Sequence, residues 1–185
     1  EPVLRHCKAL LSEVSRLPGV DGNAKMSKSL GNTLTLSATE EEIHHAVSAM
    51  YTDPTHLRVS DPGHVEGNVV FTYLDAFCQP EHFERYLPDY ANLDELKAHY
   101  QRGGLGDVKV KKFLNNVLQE TLEPIRNRRK ELEKDIPAIY EMLKKGSEEA
   151  EKVAAQTLAD VKAAMKINYF DDLDLIRSQA ERYGK

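Results

Sequence analysis

From residue 69 almost to the end, apolar residues recur every three or four positions, the spacing that places them on one face of a helix. Val70, Leu74, Phe77 and Cys78 make one stripe, Phe83, Tyr86 and Leu87 a second, and Leu93, Leu96 and Tyr100 a third. The longest opens at Gly106-Asp107 and runs through Val110, Phe113, Leu114, Val117, Leu118, Leu122 and Ile125 toward Leu132. Pro124 lacks the N–H that would bond to Glu120, so the pattern predicts a kink there or a helix split in two. Pro137, Ala138, Ile139, Met142 and Leu143 predict a shorter helix ending at Gly146. Ser147 with Glu148, Glu149 and Glu151 then predicts the start of another, whose apolar side is Val153, Leu158, Val161, Ala164 and Met165. Asn168 to Asp172 reads as a break before a last, fraying helix from Leu173 to Tyr183.

Upstream the signals are mixed. Ser37 or Thr39 is placed to cap a helix over 39–51, with Glu40, Glu41 and Glu42 in its first turn and Ile43, Val47 and Met50 on one stripe. Thr52-Asp53-Pro54, Ser60-Asp61-Pro62-Gly63 and Glu66-Gly67-Asn68 make 51–68 a long irregular connection. Val3, Leu4, Cys7, Leu10, Leu11 and Val14 fit a helix face, but Leu17-Pro18-Gly19 breaks the pattern and Asp21-Gly22 marks a turn. The expected fold is mainly α: an ending segment over 1–36, a helix and connecting loop over 37–68, and a helical bundle over 69–185.

One stretch has no apolar periodicity at all: Gly22-Asn23-Ala24-Lys25-Met26-Ser27-Lys28-Ser29-Leu30-Gly31-Asn32. It reads as a mobile loop fitted to a polyanion. Lys25 and Lys28 bring compact ammonium charges to phosphate oxygens, while Ser27, Ser29 and exposed backbone N–H groups supply short hydrogen bonds. A given five-residue string arises by chance in a chain of this length less than about once in ten thousand sequences. Lys25-Met26-Ser27-Lys28-Ser29, with Leu30-Gly31-Asn32 behind it, resembles the second signature motif of the class I aminoacyl-tRNA synthetases. Thr52 to Pro54, Asp61 to Gly63 and Val70-Phe71 resemble a run in the bacterial-type tryptophan branch of that family. Gly106-Asp107-Val108-Lys109 and the basic helix after it are similar to the anticodon-reading domain of the tryptophan and tyrosine synthetases.

The resemblance implies an enzyme that activates tryptophan with ATP and Mg2+ and charges tRNA(Trp), a cytoplasmic homodimer in its full length. It implies that residues near Leu10 to Leu17 form the extended end of an α/β, Rossmann-like nucleotide-binding domain whose body precedes Glu1. Lys25 and Lys28 would be catalytic, stabilising the departing pyrophosphate. Ser27 and Ser29 would contact the nucleotide's phosphates, and Met26 would anchor the loop on apolar surface. Lys109, Lys112, Arg126, Arg128, Arg129 and Lys130 would contact RNA. The other class I motif, of His-x-Gly-His type, is missing from these residues, so the fragment alone is expected to be inactive. A tyrosine enzyme, a helical RNA- or protein-binding module with a relic loop, and a nucleotidyltransferase with a related phosphate loop are the rival readings.

Charge sharpens the picture of the helices. The chain of 185 residues carries a net charge of -5, yet from Gly104 to Lys134 eight basic residues stand against five acidic ones. An electropositive face on an acidic protein follows. Lys109, Lys112, Arg126, Arg129 and Lys130 are expected to project off the apolar stripe. Cys7 and Cys78 lack C-x-x-C spacing and read as buried thiols of a reducing compartment. His44 and His45 have no partner at metal-ligand spacing. Asp171, Asp172 and Asp174 lack the glycine and closing glutamate of a calcium loop, and the pair His64 and Glu66 has no third group for acid–base catalysis. No apolar run is long enough to cross a bilayer, and the chain, opening at Glu1 without methionine, reads as a piece of a longer soluble protein.

Overall fold

The computed structural model describes residues 2–184 apart from 13 and 15. It is mainly helical, and among the described residues no β-strand occurs; a lone antiparallel bridge pairs Pro18 with Lys25. Among the described residues of 3–14 no helix forms. Of the expected extended segment around Leu10 to Leu17, Glu13 and Ser15 lie outside the described residues.

The chain divides into two compact units, residues 11–133 and residues 1–10 with 134–185. In the first, α1 (Glu40–Ala49) starts at a complete capping box: the Thr39 hydroxyl accepts from Glu42 N–H and the Glu42 carboxylate accepts from Thr39 N–H. Next come α2 (Val69–Phe77), α3 (Pro80–Tyr86), α4 (Leu93–Arg102) and the long α5 (Asp107–Leu132). Asn68 and Asn92 cap α2 and α4 with their side-chain oxygens. α1, α2 and α3 pack on α5, and α4 packs on α2. The interior includes Ile43, Val47, Val70, Leu74, Leu96, Phe113, Leu114, Val117 and Leu118, which the periodicity selected, and Phe71 and Tyr73, which it did not.

Of the two outcomes expected at Pro124, a kink or a split, the split does not occur: α5 continues through the proline, which lies on the exposed side, and one missing hydrogen bond does not outweigh a helix packed on three neighbours. One further expectation for α5 fails. Ile125 is exposed and Arg126 takes its place in the interior, because Leu118, Leu122 and Arg126 follow one another at i, i+4 and i+8 on the packed face.

The irregular stretch 51–68 is tied down at the C-terminal end of α4. Gly63 N–H donates to Tyr100 O at 3.0 Å, and Gly104 N–H to Val59 O at 2.7 Å. Gly103 sits at φ +89°, where a Cβ would come within 2.5 Å of Ser60 O, so this crossing requires glycine.

In the second unit, α6 (Ile136–Ala164) runs unbroken through Gly146. The predicted stop is overturned: a single glycine costs a helix about 1 kcal/mol, and the neighbouring Glu, Lys, Leu and Ala residues restore it. Asp135 caps α6 through Ala138 N–H, Lys166 at φ 56° ends the run, and Asp172 caps α7 (Leu173–Tyr183). No residue of α6 or α7 is buried. Cys7 is exposed, against the expectation of a buried thiol; Cys78 is half-buried, and burial, then the Asp75 carboxylate, push its thiol up to about 11.

Candidate functional site

The lysine stretch is not a free strand but a closed turn with a built base. Gly19 N–H donates to Ala24 O at 2.7 Å, Val20 N–H to Asn32 O at 3.0 Å and Gly22 N–H to Gly19 O at 2.9 Å. From below, the Tyr73 hydroxyl on α2 donates to Pro18 O at 2.8 Å, and Tyr51 N–H, just past α1, donates to Val20 O at 3.1 Å. Burial pushes the Tyr73 phenol up to about 12, so it remains a donor throughout the neutral range.

Within the turn, Asn32 is 3% exposed and its side chain is fully engaged. Its Oδ1 accepts from Ser27 N–H at 2.8 Å; its Nδ2 donates to Asp21 Oδ1 at 3.0 Å and to Lys25 O at 3.4 Å. A 3-10 turn spans Lys28–Leu30 and closes on Gly31. The Ser27 and Ser29 hydroxyls bond each other at 2.8 Å. Met26 packs against the hydrophobic interior, the anchoring role expected of it. Lys25 and Lys28 are exposed, and neither ammonium group is in an ion pair among the described residues. Two unneutralised cations stand above a hydrogen-bonded base, beside hydroxyls that bond only each other. Such a surface offers the donors that an anion rich in oxygen acceptors requires.

The basic residues of α5 fall into two groups. Fourteen residues or more separate Lys112 from Arg126, about 20 Å along a helix. At the near end Lys109 is occupied: it pairs with Asp89 at 3.0 Å and lies over the Tyr90 ring, and the bond to Asp89 raises its pKa. Lys112 is exposed. At the far end Arg128, Arg129 and Lys130 are exposed, with Arg129 Nε on Glu133 at 2.7 Å. Arg126 does not project off the apolar stripe. It is 8% exposed, donates from Nη1 to Ala38 O at 3.4 Å, and stands 4.0 Å from Glu40, tying α5 to the start of α1. Arg126, Arg129 and Lys130 share the wall of a cleft of about 440 Å³ with Glu40, Glu41 and Glu133. Its field is therefore mixed rather than purely positive.

The polar connection 51–68 is structural in geometry. The His64 imidazole pairs with Asp53, not Glu66: Nδ1 lies 2.7 Å from Asp53 Oδ2, which also accepts from His64 N–H at 2.7 Å. Asp53 Oδ1 accepts from Thr55 N–H at 2.8 Å and the Thr55 hydroxyl at 2.6 Å. Burial alone would raise the Asp53 carboxyl, but the bonds from Thr55 and His64 prevail and hold it well below the usual carboxylate range. A second carboxylate, Asp107, accepts from the Tyr100 hydroxyl at 2.6 Å and stands 3.4 Å from His56 Nδ1. The Asp53 knot closes the loop on itself, and the Asp107 knot fastens it to α4 and α5. Among the described residues no group of three or more His, Cys, Asp or Glu side chains is gathered for a metal ion.

Sequence reading found the lysines and serines and missed Asn32 and Asp21. Asn32 closes the quoted stretch and Asp21 stands just before it, but an amide eleven residues from a carboxylate has no periodicity to announce a bond.

Comparison with known proteins gives a consistent answer. The family model for tRNA synthetases class I (W and Y) matches residues 3–123. A tryptophan–tRNA ligase of Clostridium longisporum is 56% identical over 173 residues, which cover 92% of this chain and 48% of that protein. One from Streptococcus pyogenes serotype M3 is 52% identical over 158 residues, 85% of this chain and 44% of that protein. Among solved structures, tryptophanyl-tRNA synthetase from Campylobacter jejuni complexed with ADP and tryptophan superposes with a TM-score of 0.62 at 26% identity, over 83% of this chain and 44% of that one. The chain spans about half the length of the relatives it matches.

Proposed function

This chain belongs to the class I tRNA synthetases of the tryptophan and tyrosine group, and from that membership we propose that it is part of a tryptophan–tRNA ligase to which it brings the phosphate-gripping loop and an RNA-binding helical face. The curated relatives are tryptophan enzymes, which disfavours the tyrosine reading. Membership also sets aside the nucleotidyltransferase reading. The observation that carries the proposal is the pair of unneutralised ammonium groups on a turn with a rigid base.

In activation, a carboxylate oxygen of tryptophan attacks the α-phosphorus of ATP, an O–P bond forms, and the bond from Pα to the bridging oxygen breaks. The electron pair leaves with pyrophosphate. Lys25 and Lys28 face the charge that grows on that leaving group, and an interaction that strengthens only there lowers the barrier. Ser27 turns its hydroxyl from Ser29 to a phosphate oxygen. Mg2+ bound to the nucleotide would share the charge of its phosphates, and among the described residues no group of three or more His, Cys, Asp or Glu is gathered to hold it. The complete enzyme works in the cytoplasm as a homodimer on this reading, and no helix among the described residues is long and apolar enough to cross a membrane.

The 185-residue chain by itself is expected to be silent in tryptophan-dependent exchange of pyrophosphate into ATP, whereas the full-length enzyme is active. Exchange by the isolated chain above the blank would contradict the division of labour proposed here.

For RNA, the residues free to act are Lys112, Arg128 and Lys130, with Arg129 available by exchange from Glu133 and Arg126 holding the wall behind them. Replacing Arg128, Arg129 and Lys130 by glutamine in the full-length enzyme should weaken tRNA binding and flatten its dependence on log salt by about 2, at roughly 0.7 per phosphate contact. An unchanged slope in a filter-binding titration would remove this end of α5 from the RNA surface.

A further inference from the structure

We infer that Asn32 is a positioning residue for the activation step: its side-chain amide clamps the two ends of the lysine turn together and so fixes where Lys25 and Lys28 hold their charges. The inference rests on the role proposed above for those lysines.

The two sides of the amide meet opposite demands. Ser27 N–H needs an acceptor and lies 2.8 Å from Oδ1; the Asp21 carboxylate needs a donor and lies 3.0 Å from Nδ2. A carboxamide satisfies both in one plane. Aspartate in its place would set two carboxylates against each other, and leucine would leave both partners bare. The second N–H of the same amide reaches Lys25 O at 3.4 Å. One side chain therefore holds the run at Lys25 and at Ser27, with Lys28 the next residue along. At 3% exposure these bonds are shielded from exchange with water. The surrounding chain makes room for the amide: a Cβ on Gly19 would lie 2.2 Å from Nδ2. Being buried, Asn32 does not meet the nucleotide itself. It acts through the lysines, and a displacement of about 1 Å in such groups can cost up to about a hundredfold in rate.

The test uses the full-length enzyme and tryptophan-dependent exchange of pyrophosphate into ATP. Asn32→Asp is expected to lower kcat at least tenfold with KM for tryptophan unchanged. The exchanged pair Asp21→Asn with Asn32→Asp restores a donor opposite an acceptor while a carboxylate oxygen still receives Ser27 N–H, and only Lys25 O is left without its donor; its rate should exceed that of the single variant at least threefold. This pair keeps the inference testable where the single variant melts early. With Lys25→Ala and Lys28→Ala already present, Asn32→Asp should change the remaining rate less than twofold. A swapped pair as slow as the single variant, or an equal loss in the lysine-free enzyme, would overturn the inference. Lysine replacement that leaves the rate intact defeats the reading of the loop as a whole, so the two failures are distinguishable.

Discussion

With both Lys25 and Lys28 replaced by alanine, the full-length enzyme is expected to activate tryptophan about a thousandfold more slowly, a loss of about 4 kcal/mol of transition-state stabilisation. Removing one preorganised donor from a developing charge typically costs a hundred- to a thousandfold, and groups acting as a unit are not additive. The pair should therefore cost no more than a few times the worse single replacement. Both ammonium groups are exposed and lack an acidic partner among the described residues, so no carboxylate competes with phosphate for them in the resting turn. Their favourable interaction is reserved for phosphate. Folding of the chain should be unaffected, since neither side chain is part of the interior. Pyrophosphate exchange alongside a thermal melt separates the two effects.

The second large effect concerns the scaffold. Phe113→Ala is expected to destabilise the protein by about 3–5 kcal/mol, through lost burial and the cavity left behind. Phe113 is 2% exposed on the packed face of α5, in the helix's first half, and its ring meets Phe83 with centroids 4.8 Å apart. Ile125→Ala, on the same helix and named by the same apolar spacing, should change stability by no more than about 0.5 kcal/mol, because Ile125 faces solvent. Denaturant unfolding of the two variants checks the assignment of the packed face directly.

That contrast shows what the amino-acid order discloses and what it hides. The capping box at Thr39 and Glu42 was readable because every participant lies within one helical turn. The stripe from Val110 to Leu122 was readable because one face of α5 meets three other helices. Beyond Leu122 the stripe offered Ile125, and hydropathy favours isoleucine over arginine for burial. The structure chose Arg126 because the i+4 register continues and Ala38 O waits to accept from its guanidinium. At Gly146 a local stop signal lost to the propensity of its neighbours.

At the candidate site the chemistry was legible and the architecture was not. Lysine and serine types suit a phosphate ligand by their donors alone, the reading proposed for this turn. The base of the turn depends on Tyr73 reaching Pro18 across fifty-five residues and on Tyr51 reaching Val20, contacts that exist only once α1 and α2 are assembled. Asp53 looked like part of a turn signal, Thr52-Asp53-Pro54. Its work is to receive four hydrogen bonds from Thr55 and His64, and only the folded loop brings the histidine to it.

A single-turnover experiment bears most directly on the central claim, that the two ammonium groups tighten on the leaving pyrophosphate. Parent enzyme and the Lys25→Ala, Lys28→Ala variant would be mixed with tryptophan and a range of ATP concentrations, and formation of the aminoacyl adenylate followed in time. The account predicts that the limiting rate constant falls about a thousandfold while the ATP dissociation constant rises less than tenfold. A variant whose limiting rate equals the parent's, with only ATP affinity lost, would show that the lysines bind the ground state and contradict the claim.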